Sequence, residues 1–232
     1  MQKKIFKIIA LTIFYIVGIS LYISFMVMDG RGSDSTFIKY GVVISSLSFS
    51  LLSFLFIKDK KDIIDVSLLS IGLIFTLISD YFLLVANSNF EVGVTTFIFA
   101  QLPYFARYIF INKYNRYQIV TFSTIRLVLP VIGIIVLVSI EELSLLYVLV
   151  VIYFIQLLMN SVEAILMFIK DKKISSLLLG LGFLLFIGCD ICVGLANIGY
   201  NEMYNISWVF YAPSQLLIAS HFVLNKLYEK EE

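Results

Sequence analysis

Eight long apolar stretches constrain this chain of 232 residues more than any other feature of its sequence. About 20 apolar residues in a helix are enough to cross the roughly 30 Å hydrocarbon layer of a membrane. The stretches lie near residues 5–27, 37–57, 63–86, 92–111, 119–138, 143–169, 174–197 and 206–227. They are too long and too uniformly apolar for the alternating strands of a membrane barrel. The sequence therefore predicts an all-α integral membrane protein with eight transmembrane helices.

The composition agrees with this class. Hydrophobic residues make up 60% of the chain and charged residues 14%, a balance that no water-soluble fold could bury. No separate soluble domain remains, so residues 1–232 are predicted to form a single membrane domain. The first stretch has no small-residue cleavage pattern, and we expect it to be a retained helix rather than a signal peptide.

Lysine and arginine are concentrated in alternate loops and at both ends of the chain. The residues concerned are Lys3, Lys4, Lys7, Lys58, Lys60, Lys61, Arg107, Lys113, Arg116, Lys170, Lys172, Lys173, Lys226 and Lys230. The opposite loops hold Arg31, with Lys39 near the start of the second helix. Because positive residues favour the cytoplasmic side, we expect both termini in the cytoplasm of a multi-pass protein of the cell membrane. The net charge of +1 gives no indication of nucleic-acid binding.

One passage occurs twice, and each copy has an aspartate inside an apolar stretch. The first copy reads SLLSIGLIFTLISDYFLLVANSNF around Asp80, and the second reads LLLGLGFLLFIGCDICVGLANIGY around Asp190. The hexapeptide FIKDKK also recurs, at 56–61 and 168–173. These matches keep the same order, which predicts two parallel four-helix repeats, approximately 1–115 and 116–232. Because each half has an even number of crossings, we expect a pseudo-two-fold axis along the membrane normal.

Several polar residues are predicted to share a layer with the two aspartates. They are Gln101 of the fourth helix and Gln215 of the eighth, which the hydroxyls of Tyr104 and Tyr211 are placed to join. Asn87 and Asn197 lie outside this layer, about 10 Å nearer the outer helix ends but on the same helix faces as Asp80 and Asp190. The small residues Gly72, Gly182, Gly188 and Gly194 predict that the third and seventh helices approach their neighbours closely.

A carboxylate within a transmembrane helix costs free energy and usually has a function. Two carboxyl groups in different surroundings can be one acid and one anion at neutral pH, which makes acid catalysis by Asp80 and Asp190 a hypothesis. The alternative is that each aspartate bonds across helices and only fixes their packing.

The sequence resembles the YhhN or lysoplasmalogenase family over nearly its whole length. The resemblance lies in Asp80, in the fourth-helix run Ala100-Gln101-Leu102-Pro103-Tyr104, in Asp190, and in the eighth-helix motif from Tyr211 to Ile218. Two positions depart from the family's pattern, because Ser79 stands where glycine is frequent and Gln101 where histidine is.

The resemblance implies hydrolysis of the vinyl ether bond of lysoplasmalogens, with a lysophospholipid as substrate and Asp80 and Asp190 as the catalytic pair. The residues Gln101, Tyr104, Tyr211, Gln215, Asn87 and Asn197 would support the site. A proton-coupled transporter and a non-catalytic lipid-binding membrane protein remain alternatives. The sequence leaves the head group, the roles of the two aspartates and the oligomeric state open.

Other polar residues are predicted to have structural roles, and no metal or cofactor is expected. Arg126 and Glu163 are expected to form an ion pair or to extend toward the membrane surface. The single histidine, His221, is expected to be a packed or interfacial group. Cys189 and Cys192 flank Asp190 but are expected to be small packing residues, because there is no second pair for a metal.

Overall fold

The computed structural model describes residues 2–228, with the side chains of 4–227, and contains no strand within them. It has eight α-helices: α1 Gln2–Gly30, α2 Thr36–Leu52, α3 Lys60–Asp80, α4 Phe90–Asn112, α5 Arg116–Ser139, α6 Leu145–Asp171, α7 Ile174–Asn197 and α8 Met203–Tyr228. The predicted eight helices are confirmed. Lys230 and the side chain of Lys3, both used for the predicted orientation, lie outside the described part.

Seven of the helices in the described part, α1 to α7, are long and apolar enough to cross a membrane. The chain is therefore a multi-pass membrane protein. The eighth helix, α8, has 26 residues, or about 39 Å of length, but its sequence is more polar. Its side chains are buried along most of the helix, in contact with α1, α2, α3 and α7. Because protein surrounds α8 on most sides, its polar groups do not have to face lipid.

The helix ends follow from local capping. The Asp59 carboxylate accepts a hydrogen bond of 2.9 Å from the Asp62 backbone N–H and begins α3. This backbone hydrogen bond lowers the pKa of Asp59. Asn115 and Gln118 form a reciprocal capping box at the start of α5, with hydrogen bonds of 2.8 and 3.0 Å.

Two helices change their winding near their ends. A 3-10 turn at Ser53–Phe56 follows α2, and a π-helical turn at Tyr81–Val85 follows α3. The second turn comes directly after Asp80. Neither turn was predicted from the sequence, because the apolar pattern of a transmembrane helix continues through both.

Helices α3 and α4 form one close pair, and α7 and α8 form another. A Cβ atom on Gly72 would lie 2.7 Å from the Tyr104 ring, and one on Gly182 would lie 3.1 Å from Ile218. Both glycines thus permit close packing, as predicted. Gly188 is in ordinary contact with the Phe210 ring, whereas a Cβ atom on Gly194 would meet nothing within 4 Å. The prediction for Gly194 was wrong, because no other helix of the described residues packs against α7 at this position.

The two halves stay a predicted repeat, and the cytoplasmic termini stay a prediction. One pair of contacts fits a repeat, because Tyr104 packs on Gly72. In the second half, Ile218 corresponds to Tyr104 and Gly182 to Gly72, and these two residues also pack on each other. Consecutive helices run antiparallel. The C-terminal ends of α1, α3 and α7 and the N-terminal end of α2 therefore lie at the same end of the bundle. We call this the Asp80 end of the bundle and the opposite one the Asp62 end.

Candidate functional site

Asp80 is held by three neighbouring elements at the junction between α3 and its π-helical turn. Its side chain is buried, and the Tyr211 hydroxyl of α8 donates to its Oδ2 over 2.5 Å. The preceding residue, Ser79, donates to the Gly93 carbonyl over 2.6 Å and so fixes α3 against α4. π-Helical turns are frequent at functional sites, because they change the direction of side chains within a helix.

Asp190 lies on α7 within range of direct electrostatic interaction with Asp80. Its Oδ2 atom is buried and has no hydrogen-bond partner among the described residues. The Tyr153 hydroxyl of α6 lies beside Asp190 and is itself buried without a partner in that part of the chain. A tyrosine hydroxyl thus lies beside each carboxyl group, and the two sites differ in geometry, since the Tyr211–Asp80 contact is a short hydrogen bond.

Aromatic rings enclose the carboxyl groups. The Tyr211 ring meets Phe186 and Trp208 with centroid separations of 5.2 and 5.1 Å. Phe97 stacks on Tyr153 at 5.2 Å. Such an environment contains little water, which strengthens every electrostatic interaction between the groups inside it.

The two predicted glutamines are completely buried. Gln215 lies one turn from Tyr211 on α8, and neither of its amide atoms has a hydrogen-bond partner among the described residues. The Gln101 Oε1 atom accepts a 2.9 Å hydrogen bond from Asn160, whereas its Nε2 atom has no partner there. A buried amide atom without a hydrogen-bond partner raises the free energy of the folded protein. A bound molecule that supplied the missing partner would lower it, and both glutamines offer such an atom.

The other predicted supporting residues lie farther from the carboxyl groups. Tyr104 packs on Gly72, with its hydroxyl beside Thr76. Asn87 and Asn197 are exposed at the helix ends, and the Asn197 amide donates to its own helix at the Val193 carbonyl. Within the described chain, no hydrogen bond joins any of these three residues to an aspartate.

A second polar cluster lies toward the Asp62 end. Arg126 of α5 donates to Glu163 over 2.8 Å and to Asn160 over 2.7 Å, and it also bonds Gln156. All four side chains are buried. The predicted ion pair between Arg126 and Glu163 is confirmed, and it lies in the interior rather than at the membrane surface.

Arg107 forms a third group of charges on the same side. Its guanidinium bonds the Asp65 carboxylate of α3 and lies 2.6 Å from His221 Nδ1. His221 is buried, as expected of a packed residue. Cys189 and Cys192 are free and buried, which agrees with packing roles. No group of three or more His, Cys, Asp or Glu side chains in the described chain could hold a metal ion.

Sequence reasoning missed Asp65 and Tyr153. Asp65 carried the same signal as Asp80, a carboxylate inside an apolar helix, but it stands close to the charged start of α3. Tyr153 is one of 14 tyrosines, and its surrounding sequence does not distinguish it. Only the packing of α6 against α7 brings it to Asp190.

Comparisons with known proteins agree with the resemblance seen in the sequence. No curated protein and no solved structure matches this chain. The model of the YhhN family matches residues 42–222, a range that includes both aspartates, both buried glutamines and the surrounding tyrosines. The chain belongs to the YhhN family.

Proposed function

We propose that this protein is a hydrolase of the cell membrane that cleaves the vinyl ether bond of lysoplasmalogen-type lysophospholipids. The products are a fatty aldehyde and a glycerophospho-alcohol. The resemblance to the lysoplasmalogenase family suggests the reaction, and the aspartate pair, of which Asp80 is buried and Asp190 half-buried, supplies groups that suit its chemistry. The observation that carries the proposal is the Tyr211–Asp80 hydrogen bond beside an Asp190 carboxyl group with a buried unpaired oxygen.

The reaction needs an acid and then an anion. One protonated carboxyl group transfers its proton to the outer alkene carbon, which leaves an oxocarbenium ion at the carbon bonded to oxygen. The other carboxyl group, ionised, stabilises this cation and accepts a proton from the water that attacks it. As the hemiacetal collapses, the second carboxyl group gives its proton to the leaving glycerol oxygen and the first accepts the proton of the hemiacetal hydroxyl, which releases the aldehyde and the alcohol and returns both groups to their starting states.

The surroundings of the two carboxyl groups favour a division of these roles. A phenol bonded to Asp80 and a partner-free oxygen on Asp190 make the two groups chemically unequal. The unpaired amides of Gln101 and Gln215 are candidates to orient the attacking water or the glycerol hydroxyl. Asn87, Asn197 and Tyr104 have no direct part in this proposal.

Aldehyde release from a purified lysoplasmalogen tests the proposal. We expect Asp80→Asn and Asp190→Asn each to lose roughly a hundredfold or more in rate, because general acid–base groups contribute at least that much. Asp34→Asn is the matched control, since this carboxylate is exposed in the loop before α2, where it accepts a hydrogen bond from the Thr36 backbone. Full activity in Asp80→Asn or in Asp190→Asn would rule out the paired-carboxylate mechanism.

A proton-coupled carrier is the second candidate. The observation that favours it is the number of buried charges in the bundle, since the Arg126–Glu163 and Arg107–Asp65 pairs are buried in addition to Asp80. Intramembrane charges in such a series are typical of proton pathways. Solute movement driven by a pH gradient in proteoliposomes, without aldehyde release, would favour the carrier over the hydrolase.

A further inference from the structure

Lys39 is a buried cation at the Asp80 end of the bundle. It lies in the first turn of α2 and is 5% exposed. A lysine at such a position usually extends its ammonium group into water. Lys39 instead directs it inward, against residues of α1 and α8.

The Lys39 ammonium group has one carboxylate and three aromatic rings around it. It forms an ion pair of 2.8 Å with Asp29, at the end of α1. The centroids of Trp208, Phe25 and Tyr204 lie 5.5, 5.8 and 5.9 Å from Nζ. The Ser35 hydroxyl donates to the other oxygen of Asp29 over 2.5 Å, which fixes the carboxylate. The pair is thus a rigid dipole, with its positive end against the rings.

A layer of aromatic rings separates the Lys39–Asp29 pair from Asp80. Tyr204, Trp208 and Tyr211 are spaced to share one face of α8. Trp208 contacts Lys39 on one side and the Tyr211 ring on the other, and Tyr211 bonds Asp80. Trp208 and Tyr211 are about 4.5 Å apart along the helix axis.

A lysophospholipid has the same order of groups. Its phosphate lies in the head-group layer of the membrane, and the glycerol backbone separates it from the vinyl ether just below. An ethanolamine or choline head group adds a positive charge beside the phosphate. Lys39 is a strong partner for a phosphate, and Asp29 is a strong partner for an ammonium group.

We propose that the Lys39–Asp29 pair binds the zwitterionic head group of the lysophospholipid, with Lys39 on the phosphate and Asp29 on the ammonium group. This inference rests on the proposed function, because it takes a lysophospholipid as the ligand. The head group then sits against Tyr204 and Trp208, and the ether bond reaches the layer of Asp80 and Asp190. A neutral ion pair suits a zwitterion, since the four charges alternate in sign.

Trp208 provides the readout, because it is the single tryptophan of the chain and contacts Lys39. The protein, with Asp190→Asn to prevent turnover, is titrated in a non-ionic detergent with an alkyl-ether lysophosphatidylethanolamine or lysophosphatidylcholine. The comparison ligand is the monoalkylglycerol with the same chain, which lacks the phosphate. We expect the phospholipids to change the Trp208 fluorescence with at least tenfold higher affinity than the monoalkylglycerol.

Charge variants then separate head-group binding from packing. We expect Lys39→Met to remove the preference for the phospholipids while leaving monoalkylglycerol binding within about twofold, because ligand charge is the only difference. Arg31→Met, at an exposed arginine in the neighbouring loop, is the matched control and should keep the preference. Equal affinity of the Asp190→Asn protein, with Lys39 intact, for both ligands would overturn the proposal. So would an equal loss for both ligands in Lys39→Met.

The binding titration and the aldehyde assay fail independently. Selective binding that depends on Lys39, without aldehyde release by the wild-type Asp190 protein, leaves the head-group site intact and removes the hydrolase. Aldehyde release by the wild-type protein without head-group selectivity would leave the hydrolase intact and remove the head-group site. A variant with both charges exchanged, Asp29→Lys with Lys39→Asp, keeps the ion pair but reverses it, and we expect it to lose the preference for phospholipids.

Discussion

A single hydroxyl group distinguishes the surroundings of the two central aspartates. Tyr211 donates to Asp80, whereas the Oδ2 atom of Asp190 is buried without a partner among the described residues. The sequence presents them as equivalent, because each stands in the same repeated passage. A tyrosine lies beside each of them, and the difference comes from geometry, because only the Tyr211 hydroxyl is placed for a 2.5 Å hydrogen bond to its aspartate among the described residues. The Tyr211 hydroxyl is therefore the group, after the two aspartates themselves, whose removal tests the proposed mechanism at the scale of a single residue.

Removing that hydroxyl should slow the reaction without removing the ring. We expect Tyr211→Phe to lose about tenfold to a hundredfold in aldehyde release, since a hydrogen bond to a charged group contributes about 1.5–3 kcal/mol. Tyr15→Phe is the control. The Tyr15 hydroxyl of α1 bonds Ser220, which lies on α8 as Tyr211 does but nearer the Asp62 end. A rate for Tyr211→Phe equal to that of the control would contradict a role for the hydroxyl.

At the scale of helices, close packing depends on particular glycines and on one irregular turn. The Tyr104 ring occupies the space that a side chain on Gly72 would need, which brings α3 and α4 together. The π-helical turn at Tyr81–Val85 then ends α3 just beyond Asp80. The glycine thus fixes the distance between α3 and α4, and the irregular turn fixes where α3 ends.

An alanine at Gly72 should separate the two helices. Its Cβ atom would lie 2.7 Å from the Tyr104 ring, and we expect Gly72→Ala to lower the free energy of unfolding by about 1–3 kcal/mol. Gly194→Ala, on the open face of α7, should be neutral or stabilising, because alanine favours a helix over glycine. Thermal denaturation in detergent measures both, and an equal change in the two variants would refute the packing argument.

For the whole molecule, α8 and the buried charges are the main departure from an apolar bundle. A helix surrounded by other helices can carry polar groups, and α8 does so at Tyr211, Gln215 and His221. The Arg126–Glu163 pair is buried in the same way, between α5 and α6. α5 is otherwise peripheral, with Arg126 and Pro130 as its buried residues. The pair and its amide neighbours therefore connect α5 to the rest of the bundle.

Replacing one partner of the Arg126–Glu163 pair should lower the free energy of unfolding more than replacing both. We expect Arg126→Met to lower the free energy of unfolding by about 3–5 kcal/mol, because it leaves the buried Glu163 carboxylate without its countercharge. The double variant Arg126→Met with Glu163→Met should be more stable than Arg126→Met alone. Denaturation in detergent compares the two. A double variant that is less stable than either single variant would show that the pair contributes net stability.

The sequence by itself determined the class, the eight helices and the identity of the central carboxyl groups. Apolar length and charge in an apolar span are local signals, and their free-energy costs in lipid hold whatever the fold. Only the tertiary structure decided which groups meet. It joined Tyr211 to Asp80, brought Tyr153 to Asp190, placed Lys39 over Trp208, and left Asn87 and Asn197 at the surface. These contacts depend on how helices distant in sequence rotate and cross, because packing between helices, not local pattern, determines which face of each helix turns inward.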